Sequence, residues 1–168
     1  MADERARDSW CFACGPDNPI GLHLAFKITS DNIYAEFVPE RIHQGYDGVV
    51  HGGIIATLLD EAMANLLYLK GWDCTTGKME IRYRQPALVG SKIEIFGQVL
   101  EKRSRYAKTK AILLKAEGNH RNSDMDKAND QVKRFLIKDF IKKSDLIIAE
   151  ATAIFMLGSR PSNSSSLL

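Results

Sequence analysis

His51-Gly52-Gly53-Ile54-Ile55-Ala56-Thr57-Leu58-Leu59-Asp60-Glu61-Ala62-Met63 opens on two glycines, runs into an apolar segment, and sets two carboxylates in the middle of it. The segment reads as a helix from about Gly53 to Leu69. Ile54, Ile55, Leu58, Leu59, Met63, Leu66 and Leu67 surround most of its circumference, which marks a buried helix rather than a surface one. Gly71 is placed to stop it. A helix start exposes unpaired N–H groups that favour a negative oxygen. A carboxylate in apolar surroundings is costly unless it is partnered or used. Together these are parts of a site able to attack a carbonyl and cradle the oxyanion that results.

Working outward, strands flank the helix on both sides. Leu22, Leu24, Phe26 and Ile28 alternate with His23, Ala25 and Lys27, and Ile33–Val38 forms a second strand across a turn at Ser30-Asp31-Asn32. Pro39 to Val50 reads as a loop. Three or four strands follow the helix: Lys78–Arg84, Lys92–Leu100, Tyr106–Ala116 and Ile147–Leu157, the middle two joined near Arg103-Ser104-Arg105. Two strands, one buried helix and then several strands pack most economically as an antiparallel sheet wrapped on the helix, an α+β architecture. The edges of such a sheet favour pairing with a second copy. Residues 1–10 form a polar lead-in, 11–157 one domain, and 158–168 a tail disordered by composition. Residues 119–145 are an insertion where a short turn belongs. Val132, Phe135, Leu136 and Phe140 are spaced as an amphipathic helix within it, before the last strand.

The chain has 168 residues, is 45% hydrophobic and 26% charged, and carries a net charge of +2, which suits one ordinary globular domain. That charge is too small to argue for nucleic acid or an anionic membrane. No apolar run approaches the roughly 20 residues of a membrane span. The N-terminal Met-Ala-Asp-Glu lacks a signal-peptide core, and three cysteines make an odd count without a disulfide framework. A cytoplasmic protein with reduced thiols is the expectation. Cys11 and Cys14 have the spacing of half a zinc site. Only Cys74 and a few histidines remain to complete it, so the pair reads as a packed turn and no metal or cofactor is expected.

Arg41-Ile-His43-Gln44-Gly45-x-x-Gly48-Val-Val-His51-Gly52-Gly53, continuing to Asp60-Glu61-Ala62, resembles the signature of hotdog-fold acyl-CoA thioesterases of the phenylacetate-degradation (PaaI-like) branch. Cys11-x-x-Cys14-Gly15-x-x-Asn18-Pro19-x-Gly21-Leu22 and Tyr83-x-x-Pro86 are similar to segments of the same branch. The resemblance covers roughly residues 10–117 and 146–157. It implies a curved antiparallel sheet around one long helix, assembled as a homodimer or homotetramer with sites at the interface, and an acyl-CoA substrate. It makes Asp60 the catalytic carboxylate, Gly52 the residue whose N–H polarises the thioester carbonyl, and Thr76 a holder of the attacking water or the carboxylate. Where many relatives carry Asn, this chain has Gly45, and Gln44 or His43 is then the polar substitute.

Spacing adds an argument of its own. Gly52 and Asp60 lie eight residues apart, roughly 12 Å along a helix rising about 1.5 Å per residue. Reacting groups must come within about 3–3.5 Å, so both can serve one carbonyl only if a second copy supplies one of them. For binding, His43, Gln44, His51, Gly53 and Met63 are candidates around the substrate, and Arg103 and Arg105 suit the phosphates of CoA. Each has a structural alternative: His51 and His43 as loop braces, Gly52 as a tight turn, the arginines as solvated charges. Two other functions compete with hydrolysis, a hotdog enoyl-thioester hydratase or dehydratase and a non-catalytic acyl-CoA-binding module.

Overall fold

The computed structural model describes residues 9–28, 31–116 and 145–158. The helix expected within the 119–145 insertion lies outside the described residues, as do most of the lead-in, Ser30 of the first turn, and the tail beyond Gly158.

The expected helix forms as α1, Gly52–Leu69. Ile55, Leu58, Leu59, Ala62, Met63, Leu66 and Leu67 are all buried, most of them with no exposed surface. Full burial of such side chains contributes about 1.5–3 kcal/mol each. At 18 residues and a mean hydropathy of 1.2, α1 has the length and composition of a membrane-crossing helix, contrary to the expectation that no segment came near. Here the sheet covers that apolar surface. The helix ends as expected at Gly71 (φ 85°), whose N–H donates to Tyr68 O at 2.8 Å while Trp72 N–H reaches back to Leu67 O at 3.1 Å.

Around α1 wraps a six-stranded antiparallel sheet: β1 (Lys27–Ile28), β2 (Asn32–Phe37), β6 (Ile93–Lys102), β7 (Tyr106–Lys115), β8 (Ile147–Leu157) and β5 (Cys74–Tyr83), in that spatial order. The curved sheet on a single helix is the hotdog fold expected from the resemblance. The helix comes close to the sheet at Gly97 of β6. A Cβ there would lie 2.8 Å from Ile33 Cγ2 and 3.3 Å from the Ala62 carbonyl oxygen, so only glycine permits the approach.

Two expectations are corrected. The strand anticipated over Leu22–Ile28 shrinks to Lys27–Ile28, because His23 takes φ 50° and the backbone of Leu22 and Leu24 bonds instead to Phe12 O and Ala13 O. Leu22 and Leu24 are buried nonetheless, so their apolar spacing reported burial rather than a strand. The loop from Pro39 to Val50 holds more structure than expected: a 3-10 turn at Arg41–His43 and a small ribbon of β3 (Gln44–Tyr46) with β4 (Val49–Val50).

Candidate functional site

Asp60 projects from the middle of α1, half-buried, toward edge strand β5. There Thr76 Oγ1 donates to Asp60 Oδ1 at 2.9 Å. Thr76 sits at a bulge in β5, where the register to β8 steps between Thr76 and Lys78; such irregularities re-aim a side chain. Two residues back, on the same strand face, Cys74 has its thiol pushed up to about 11. Burial is the main cause, and the carboxylates of Asp60, Asp73 and Glu61 add to it. A thiol so held stays protonated at neutral pH and is a poor nucleophile. Of the two groups here, the carboxylate is the one aligned by the threonine hydroxyl.

The other end is built around the helix start. His51 is the N-cap, and its Nδ1 accepts the Gly53 N–H at 2.8 Å. His51 O accepts from Ile54 N–H at 2.9 Å. Among the described residues nothing accepts the Gly52 N–H, and Gly52 is exposed. Its φ is not positive, and an added Cβ would meet nothing closer than Tyr83 Cε1 at 3.8 Å. No turn or close contact among the described residues requires glycine here. The open donor and the clear space above it are what an approaching carbonyl oxygen needs. Tyr83, which no sequence argument singled out as a site residue, borders this space: its hydroxyl donates to Gly52 O at 3.1 Å.

The remaining candidates are placed as follows. His43 Nδ1 accepts from Glu40 N–H at 2.8 Å, its ring packs tilted against Phe37 with centroids 5.2 Å apart, and its carbonyl accepts the His51 N–H. It braces the loop that delivers the helix start. Gln44 Oε1 accepts from Gly48 N–H at 3.4 Å. A Cβ at Gly45 would press on His51 at 3.1–3.4 Å, so the helix cap occupies the space a larger side chain would need. Gly53 gives its N–H to the cap and has none left for substrate. Met63 has no exposed surface and belongs to the core of the single chain, not to a surface open to ligand. Arg103 is exposed and paired to Glu101 at 2.6 Å, and Arg105 accepts Leu157 N–H through its carbonyl. Because Leu157 is in register with Cys74, the arginine turn stands at the same end of the sheet as Thr76 and Asp60. A cavity of 440 Å³ lies between Val38, Leu88, Lys92 and Lys115; none of Gly52, Asp60 or Thr76 lines it, and it is separate from this site.

The cap gives a first prediction. His51→Ala removes the acceptor of the Gly53 N–H, and thermal or chemical denaturation is expected to register a loss of about 1 kcal/mol.

Strand β5 serves as a ruler. Asp60 is anchored to Thr76 and Gly52 to Tyr83, seven residues further along the strand, about 23 Å at roughly 3.3 Å per residue. The helix rise alone gives about 12 Å; the difference reflects the crossing of helix and strand and the length of the tyrosine. On either measure, one chain holds its carboxylate and its open N–H too far apart to serve a single bond.

Comparison with known proteins agrees with this fold. Residues 47–120 match the family model of the thioesterase superfamily. A hypothetical thioesterase from Streptococcus pneumoniae TIGR4, solved with coenzyme A, is 15% identical, with a TM-score of 0.63 over 83% of this chain and 88% of that one. A Streptococcus mutans UA159 protein bound to acetyl CoA is 14% identical, with a TM-score of 0.61 over 83% and 91%. A putative thioesterase related to phenylacetic acid degradation, from Ralstonia eutropha JMP134, is 16% identical, with a TM-score of 0.57 over 80% and 85%. No curated protein matches significantly. The chain is a hotdog-fold protein, and the stretch carrying its helix and most of its sheet has the sequence pattern of the thioesterase superfamily.

Proposed function

We propose that the protein hydrolyses acyl-CoA thioesters to the free acid and CoA in a site completed by two copies of the chain. The observation that carries this reading is the pair of anchors on β5, a carboxylate bonded to Thr76 and an open helix-start N–H beside Tyr83. On its outer side β5 pairs with no strand among the described residues, and most of its residues are exposed. Antiparallel pairing of two β5 strands about a two-fold near Met79 and Glu80 sets Thr76 of each opposite Tyr83 of the other. Asp60 of one subunit then faces Gly52 of its mate.

In that arrangement the Gly52 N–H and the helix dipole stabilise the thioester oxyanion. Asp60 takes a proton from water as the water oxygen bonds to the carbonyl carbon. Collapse breaks the C–S bond, and the sulfur leaves with a proton as CoA. Direct attack by Asp60 to form an anhydride, which water then opens, uses the same groups. Three features of relatives support the assignment: the superfamily match, the neighbours solved with CoA and acetyl CoA, and alanine variants of the pneumococcal protein at an aspartate and at a threonine sixteen positions later. Asp60 and Thr76 have the same separation. Hydration chemistry fits less well, because the Nδ1 atoms of His43 and His51 are both occupied by backbone N–H groups.

The test is release of free CoA from purified protein across straight-chain and aryl acyl-CoAs. Turnover above the spontaneous rate supports the reading; tight binding without release throughout the panel overturns it. Thr76→Ala is expected to lower kcat about tenfold, the effect of one lost hydrogen bond to a charged group, and Thr76→Ser to restore most of it.

A further inference from the structure

We propose that Cys11, Cys14 and Glu61 form a binding site for a thiophilic divalent cation, Zn²⁺ above all, which ties the N-terminal turn to α1. The two thiols and a Glu61 carboxylate oxygen lie within 4.8 Å of one another, with Cys11 Sγ 4.0 Å from Glu61 Oε1. Tetrahedral zinc, with bonds of about 2.3 Å to sulfur and 2.0–2.2 Å to carboxylate oxygen, sets such ligand atoms about 3.6–3.8 Å apart. Side-chain rotation alone closes that difference. The Cys-x-x-Cys pair by itself is half a site; the third ligand comes from a residue fifty positions away.

The surroundings are built to hold these groups. Gly15 N–H donates to Cys11 O at 2.8 Å, closing the turn that presents both sulfurs on one side. A Cβ at Gly15 would fall 2.4–2.6 Å from the backbone of Cys11 and Ser9, so the turn admits no side chain there. Leu22 and Leu24 hydrogen-bond to Phe12 and Ala13 and fix the turn against the domain. Glu61 is oriented in its turn: Asn65 Nδ2 donates to its Oε1 at 2.6 Å, the kind of outer partner that positions a ligating carboxylate. Among the described residues no Lys, Arg or His pairs with Glu61. A half-buried carboxylate facing two thiols and no cation is an arrangement that a metal ion completes. As each metal–sulfur bond forms, the thiol proton passes to solvent, and Glu61 binds through a carboxylate oxygen. Three protein ligands leave one position, which water fills.

The experiment uses the full chain and Zn²⁺ or Co²⁺ alone. One zinc per chain is expected after purification without chelator, and Co²⁺ should produce a sulfur-to-metal charge-transfer band. Zinc should slow alkylation of Cys11 and Cys14, mapped by mass spectrometry, by at least about tenfold, and leave Cys74 unchanged. Glu61→Gln should weaken zinc at least about tenfold while Cys74→Ser leaves it as it was. Equal alkylation of all three cysteines with and without zinc overturns the site without recourse to any variant. Recovery of Cys11 and Cys14 as a disulfide from reductant-treated protein overturns it as well.

Discussion

Asp60→Asn should yield a folded protein whose CoA release has fallen by about 10²–10⁴-fold in kcat, the usual worth of a positioned general base. The substitution keeps shape, and the amide oxygen can still accept from Thr76 Oγ1, which donates to Asp60 at 2.9 Å. What disappears is the charge that accepts a proton from water or attacks the carbonyl. Circular dichroism should be unchanged and KM nearly so, since Asp60 acts on the reacting bond and not on the bulk of CoA. The same loss is expected on either chemical route. Turnover near that of the unmodified protein would remove Asp60 from the mechanism and, with it, the proposed function.

The second large effect is expected from Gly52→Pro, which deletes one hydrogen and little else. Gly52 is the first residue of α1, where proline is favoured because its missing N–H has no helical partner. His51 already has φ −61° and ψ 135°, the extended conformation that a following proline demands. An added Cβ meets nothing closer than Tyr83 at 3.8 Å, an ordinary van der Waals contact. The helix should therefore survive while the oxyanion loses its donor, lowering kcat by about 10²–10³-fold. The two variants together also test the shared site. Mixed and reassembled in equal amounts, the Asp60→Asn and Gly52→Pro chains should recover about a quarter of full activity, because half the dimers are mixed and each has one intact site. A site contained in one chain gives no recovery at all.

The helix and the four strands after it were legible because each follows one clear period. Apolar residues circle α1, and clean alternation marks Lys78–Arg84, although β5 itself begins four residues earlier, at Cys74. The segment 22–28 misled because alternation also describes a buried extended coil: His23 turns the backbone out of the strand region, which side-chain pattern does not reveal. Asp60, Gly52 and Thr76 were singled out through a motif, and the spacing of Gly52 and Asp60 along the helix already implied two copies. Tyr83 and the Glu61 partnership were not legible. Both depend on contacts between residues 31 and 50 positions apart, created only when β5 and the N-terminal turn close over α1. His51 and His43 read equally well from sequence as substrate ligands or as loop braces. Folded, each uses a ring nitrogen to satisfy a backbone donor, a role that depends on φ and ψ rather than on residue type.

Strands β7 and β8 are neighbours in register down to Leu114 opposite Ile147, so the long connection between them leaves and re-enters the sheet at adjacent points. The order of the sheet is thereby uncoupled from the length of whatever joins these two points, since loop-closure entropy grows only slowly with length. The side-chain amide of Gln85, two residues along the chain from Tyr83, holds the end of that connection by donating to the carbonyls of Asp145 and Ile147. A lineage could thus exchange the sequence that joins β7 to β8, or a protein engineer splice a reporter into it, without shifting a single strand.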